Sequence, residues 1–147
     1  MKRIIAVLSM LGVVFSKDLS AGETPVISKE IRQVFSSNFP RAENASFEVY
    51  GEAILVTYFE NCKHNLALYK EDGELIGTGS YISKEEIPSR HLRTLQKKFG
   101  VFEIMGALEF STIDQSYYGL QLATKKGNVL VRVYENHLDI VKNEQRR

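Results

Sequence analysis

The chain has 147 residues, of which 44% are hydrophobic and 25% charged, with a formal net charge of +1. That length can bury one core without metal or disulfide staples, and the near-zero charge gives no basic field to attract nucleic acid or an anionic membrane. A single cysteine, Cys62, excludes an intramolecular disulfide and leaves any cysteine-based zinc centre short of ligands.

The amino-terminal stretch differs from everything after it. Lys2 and Arg3 precede the apolar run Ile4 to Phe15, broken only by Ser9 and Gly12. A basic start, a short apolar run and then small or polar residues form the pattern of a secretory signal peptide. The run is shorter than the roughly 20 residues of a membrane span. The expected signal peptide covers residues 1–21, with cleavage after Ser16 or Ala21; a buried amino-terminal helix or strand is the alternative. An exported, periplasmic or secreted protein with no stable membrane span follows. An exported chain with one thiol is expected to bury it.

Residues 22–147 read as a single domain. Ile31, Val34, Phe35 and Phe39 recur at helical spacing, with Ser28 able to cap the helix and Pro40 to end it. Strands are expected at Phe47–Tyr50, Ala53–Phe59 and Leu66–Lys70, and Asp72-Gly73 turns the chain into Glu74–Tyr81. A second helix carries Leu92, Leu95 and Phe99, with Pro88 at its first position and Gly100 as its stop. Ser83 and Glu86 have capping-box spacing, so the start could fall earlier. Strands follow at Ala107–Thr112, Tyr117–Thr124, Val129–Tyr134 and Leu138–Val141, with Lys126-Gly127-Asn128 as a turn. Short strands joined by tight turns must pair antiparallel.

The two halves, about 26–82 and 83–142, look like a diverged repeat. Ile27, Phe35 and Phe39 align with Ile87, Leu95 and Phe99, an offset of 60. With a larger offset, Leu66, Leu68 and Tyr69 fall on Val131, Val133 and Tyr134. The expected fold is α+β: two α-β-β-β-type repeats forming one curved antiparallel sheet, with two helices packed on one face.

Period-two alternation assigns Ile54, Val56, Tyr58, Leu66, Leu68, Tyr118, Leu120, Leu122, Val131 and Val133 to the helix-covered face. The opposite face then carries Leu55, Thr57, Phe59, Tyr69, Tyr117, Gln121, Arg132 and Tyr134. An aromatic, open sheet face is a candidate partner surface, and Leu55, Phe59, Tyr69, Tyr117, Arg132 and Tyr134 are its candidate contact residues. A one-residue register error would exchange the faces; a dimer contact or cover by a terminal segment would hide them.

Phe39-Pro40, Asp72-Gly73-Glu74-Leu75, Ile87-Pro88 and Tyr117-Tyr118-Gly119-Leu120-Gln121-Leu122, taken in order over residues 26–142, resemble the PepSY-like family of small exported bacterial proteins, also called β-lactamase-inhibitor-like. The resemblance implies two α-β repeats in one curved sheet. It implies an exported, non-catalytic protein that binds or inhibits a protein partner, such as a peptidase, through the open sheet face. A small-ligand carrier of the cell envelope is the alternative. Gly100 stands where the first repeat has Pro40, and the chain has no tryptophan, which such strands in the family often carry.

Catalytic machinery is not legible. His64, His91 and His137 form no H-E-x-x-H pair, and no G-x-S-x-G elbow frames a serine. Cys62 and His64 could start a metal site but lack two further local donors, so no metal or cofactor is expected. Gly77-Thr78-Gly79-Ser80 lacks the lysine of a phosphate loop. Arg90, Arg93, Lys97 and Lys98 read as the solvent face of the second helix rather than a nucleic-acid surface. His91 is expected to pack half-buried, and His137 to sit solvated in a turn.

Overall fold

The computed structural model describes residues 27–145; the expected signal peptide lies outside the described residues. Eight strands form one antiparallel sheet in chain order: β1 (Glu43–Tyr50), β2 (Ala53–Glu60), β3 (Lys63–Lys70), β4 (Leu75–Tyr81), β5 (Phe102–Thr112), β6 (Ser116–Thr124), β7 (Gly127–Val133) and β8 (Leu138–Gln145). Helix α1 (Lys29–Asn38) precedes β1 and helix α2 (Ser89–Phe99) precedes β5. The expected α+β sheet is therefore present, with four strands rather than three after each helix. The chain divides into two compact units between Tyr81 and Ile82, with residues 111–115 grouped with the first.

In the first unit, the Ser28 side chain accepts the Ile31 N–H at 3.3 Å and starts α1. The helix stops at Phe39 because a residue before proline is pushed out of the helical region. Its buried face, Ile31 and Phe35 with Val34 and Phe39 beside them, packs on Ile54, Val56, Tyr58, Ala67 and Tyr69. The Phe35 ring lies 5.3 Å from Phe39, 5.4 Å from Phe47 and 5.2 Å from Tyr58, a cluster in which rings meet tilted or edge-on.

In the second unit, Pro88 takes the cap position and α2 begins at Ser89, one residue later than expected. The capping-box pair is used by a separate 3-10 turn at Lys84–Glu86, where the Glu86 carboxylate accepts the Ser83 N–H at 2.8 Å. Gly100, at φ 70°, ends α2 with its N–H bonded to Gln96 O. The helix rests on Leu120, Leu122, Val129, Val131 and Val133, with Ile87 and Ala107 in the same cluster.

The units repeat one pattern. Ile27, Ile31 and Phe35 are buried in the first, and Ile87, His91 and Leu95 in the second, the same positions 60 residues on. In the sheet, Val56 pairs with Ala67 and Leu120 with Val131, so the strand offset is 64. The offset of 65 that places Leu66 on Val131 is one residue too large. Because strand side chains alternate, that slip reverses a strand's faces. Leu66 and Leu68 thus lie on the face away from α1, opposite Thr57 and Leu55, while Tyr69 lies under α1 beside Ile54.

The turns show where the slip arises. Glu60 pairs with Lys63 across Asn61-Cys62, and Thr124 pairs with Gly127 across Lys125-Lys126, two equivalent two-residue hairpins. Placing the second turn at Lys126-Gly127-Asn128 shifts it by one. Asn61 and Cys62 both have positive φ, 53° and 61°, as a type I′ hairpin requires. Held at this tip, Cys62 is exposed, which corrects the expectation of a buried thiol.

Candidate interaction face

Of the six expected contact residues, Tyr69 leaves the face altogether. Its ring is 0% exposed under α1, and its hydroxyl accepts from Asn38 Nδ2 at 3.0 Å. The other five lie on the faces away from the helices, Leu55 and Phe59 in the first unit, Tyr117, Arg132 and Tyr134 in the second. They are not uniformly open: Leu55 is 4%, Tyr117 2% and Tyr134 8% exposed, whereas Phe59 and Arg132 are half-buried. The expectation of a broadly solvated aromatic face is corrected to a mostly dry face with a polar, partly open part.

The first unit's share of this face is mostly apolar. Leu55, Leu66 and Leu68 are buried, and Thr57 and Phe59 are half-buried beside them. Near the hairpin tip, Asn44, Thr57, Tyr58, Phe59 and exposed His64 line an open depression of about 420 Å³. The Phe59 and His64 rings meet edge-on with centroids 5.2 Å apart.

The second unit's share is polar and aromatic. Gly119 and Arg132 are directly paired, and the missing side chain at Gly119 makes room for Leu108, whose Cγ would lie 3.3 Å from an added Cβ. Around this point the Tyr117 ring touches Phe110 (centroids 5.6 Å) and Tyr134 (5.4 Å). The Arg132 guanidinium lies 5.9 Å from the Tyr117 ring centroid and donates from Nη1 to the Tyr134 hydroxyl at 3.2 Å. His137, expected to be a solvated turn residue, is exposed but stacks on Tyr134 at 4.2 Å with the rings 8° from parallel.

Two polar atoms in this group are buried without a hydrogen-bond partner: the Tyr117 hydroxyl and Arg132 Nε. Buried polar atoms are rarely left so, and each calls for a reason. Burial pushes the Tyr117 phenol far above its ordinary pKa, so the group stays a neutral donor. Asp139 lies opposite Arg132 in the β7–β8 ladder, yet its Oδ2 is directed to His137 Nε2 at 3.9 Å.

Leu66, Leu68, Leu108 and Phe110 also belong to this face, and the sequence reading missed them. Aligning the two hairpin tips would have found the leucines of β3. His91, expected to be half-buried, is 4% exposed, with its ring 5.3 Å from Tyr118. Burial lowers its pKa, nearby Arg90 lowers it further, and Glu135 partly opposes them. Among the described residues no three His, Cys, Asp or Glu side chains gather as a metal site, and no helix is long and apolar enough to cross a membrane.

No known protein family matches the chain by sequence, and no curated protein does. Solved structures do match. A Bacteroides eggerthii protein described as among “putative periplasmic proteins” superposes with a TM-score of 0.69 at 8% identity, covering 79% of this chain and 90% of its own. A BLIP-like protein of Bacteroides fragilis gives 0.66 at 11% identity, covering 84% and 92%. A DUF2874 family protein of Bacteroides uniformis gives 0.68 at 6% identity, covering 78% and 89%. None of these three carries the PepSY name. At such low identity the likeness concerns the fold alone, and that fold is the one shared by BLIP-like and DUF2874 proteins.

Proposed function

We propose that the chain is an exported, non-catalytic binding protein of the bacterial periplasm that engages a protein partner through the sheet face away from its helices. The Tyr117–Arg132–Tyr134 group carries this reading. It places a guanidinium and two aromatic rings, the residue types that dominate binding hot spots, with the arginine standing where the first repeat has Leu68. The sequence contains no nucleophile motif, and structural neighbours described as BLIP-like or periplasmic support the same reading. The open depression beside Phe59 is a feature that would serve a small-ligand carrier, and its exposed polar rim suits such a role poorly.

Affinity capture from the native cell envelope tests the proposal, with the full chain and a Phe59→Ala/Tyr134→Ala variant as baits. The variant should lose at least about ten-fold of whichever protein the unaltered chain enriches, a loss worth one hot-spot residue. Tyr69→Phe, altered beneath α1, should capture normally. Equal capture by all three baits would remove this face from consideration.

A further inference from the structure

We propose that Arg132, with the hydroxyls of Tyr117 and Tyr134, receives a single Asp or Glu side chain from the protein partner. The inference rests on the reading of this face as a docking surface and names the chemistry that the surface selects.

Arg132 makes no ion pair among the described residues. Its Nη1 donates to the Tyr134 hydroxyl, and its Nε is buried without an acceptor. A guanidinium has five N–H donors in a rigid fork and no acceptor, so an unused, desolvated edge of it asks for an oxygen anion. Tyr134 accepts from Arg132 and therefore keeps its own proton to donate. Tyr117, 2% exposed, has a hydroxyl with no partner, and its raised pKa keeps that proton in place. One guanidinium and two phenols thus lie together with donors to spare, and the planar ligand with acceptors and a single negative charge is a carboxylate.

The rings are held in place before any ligand arrives. Tyr134 is clamped between Tyr117 and the stacked His137, and Tyr117 leans on Phe110. Arg132 is the half-buried member. Its long stem lets the head group swing outward to meet an approaching anion and bring it inward.

A side-chain carboxylate fits better than a chain terminus. Terminal carboxylates are held in nests of free backbone N–H groups. Here β7 is paired on both sides along its length, with β6 and with β8, which commits its backbone donors. Asp139 marks the site from within: it is paired with Arg132 in the ladder but lies against His137, half-exposed. It is the internal competitor for the same guanidinium.

The test titrates the full chain with blocked peptides while following the NMR signal of Arg132 Nε–H. The probes are acetyl-Ala-Tyr-Glu-Tyr-Ala-amide, its Gln counterpart, and the Gln peptide with a free carboxy terminus. The Glu peptide should shift the signal saturably and bind about ten-fold more tightly than the Gln amide, the range of one charge-assisted hydrogen-bonded pair. Asp139→Asn should strengthen that preference, and Arg132→Gln should abolish it. Arg132→Lys, which keeps charge and stem, should weaken it and guards against a folding defect in the first variant. Equal binding of Glu and Gln peptides, or a preference that survives Arg132→Gln, overturns the inference. Binding of the free-carboxylate Gln peptide as tight as that of the Glu peptide overturns it in favour of a terminal carboxylate. If peptide selectivity fails while envelope capture still depends on Phe59 and Tyr134, this inference falls and the docking surface stands.

Discussion

The two repeats agree where they meet their helices and disagree on the other side of the sheet. Under α1 and α2 most buried positions correspond: Ile27 with Ile87, Phe35 with Leu95, Val56 with Leu120, Ala67 with Val131. On the opposite face, Leu68 corresponds to Arg132, Leu66 to Leu130 and Leu55 to Gly119. A duplicated unit must keep the layer that holds it together. The other face is free to change, and the second repeat has an arginine where the first has Leu68. The difference separates a face that stabilises from a face suited to recognition.

The sharpest way to break this comparison is to remove one large side chain from each matched core. Phe35→Ala should cost about 3–5 kcal/mol and Leu95→Ala about 2–5 kcal/mol, read from urea unfolding. Phe35 should be the worse loss, since it touches three other rings. A cost well below 1 kcal/mol at either site would mean that its helix contributes little.

Exchanging the divergent pair sharpens the contrast next. Leu68→Arg buries an unpaired charge in the dry half and should cost about 3 kcal/mol or more. The mirror change, Arg132→Leu, should stay within about 1 kcal/mol, because it removes a group whose Nε already lacks a partner. If both changes cost the same, the two halves of the face are equivalent and the functional contrast is lost.

What could be read in advance follows the same division. The helices, their stops and all eight strands were legible because apolar spacing and Pro40, Gly73 and Gly100 mark them locally. The face assignment depends on pairing, a non-local property that period two leaves ambiguous by one residue. Tyr69 shows the consequence. Adjacent Leu68 and Tyr69 are both buried, so hydrophobicity could not say which of them faces α1; the hairpin tip decides it. Burial of Tyr117 was illegible for a related reason, since Phe110 reaches it from a neighbouring strand. Cys62 was misjudged because thiol burial is a general tendency, and a two-residue turn overrides it.

Tyr69 and His91 supply smaller tests of what each helix covers. Tyr69→Phe removes the bond from Asn38, whose exposed amide can return to water, and should cost about 1 kcal/mol. His91 stands where the first repeat has Ile31, which places a histidine in the second helix interface. Its folded-state pKa lies below the ordinary 6.5, and the unfolded chain therefore binds its proton more readily. The stability it supports is complete above pH 6.5. It falls as the pH drops below that value and levels off once the folded form is protonated too. Urea midpoints should decrease on acidification into that range, and His91→Leu should flatten the decrease. An unchanged pH profile in the variant would show that another group is responsible.

The smallest expected effect compares the two hairpin tips themselves. Asn61-Cys62 holds two non-glycine residues at positive φ, while Lys125-Lys126 holds none and leaves Gly127 to take the unusual angle, 139°. Glycine carries no penalty in the left-handed region, so Cys62→Gly should stabilise the protein by about 0.5–1 kcal/mol. At Lys126, where φ is ordinary, glycine only loosens the unfolded chain and should destabilise by about 0.4–1 kcal/mol. Opposite signs at equivalent positions, measured by urea unfolding, would confirm that two turns of equal length reach the same strand pairing by different backbone routes. A gain at both sites would remove that distinction.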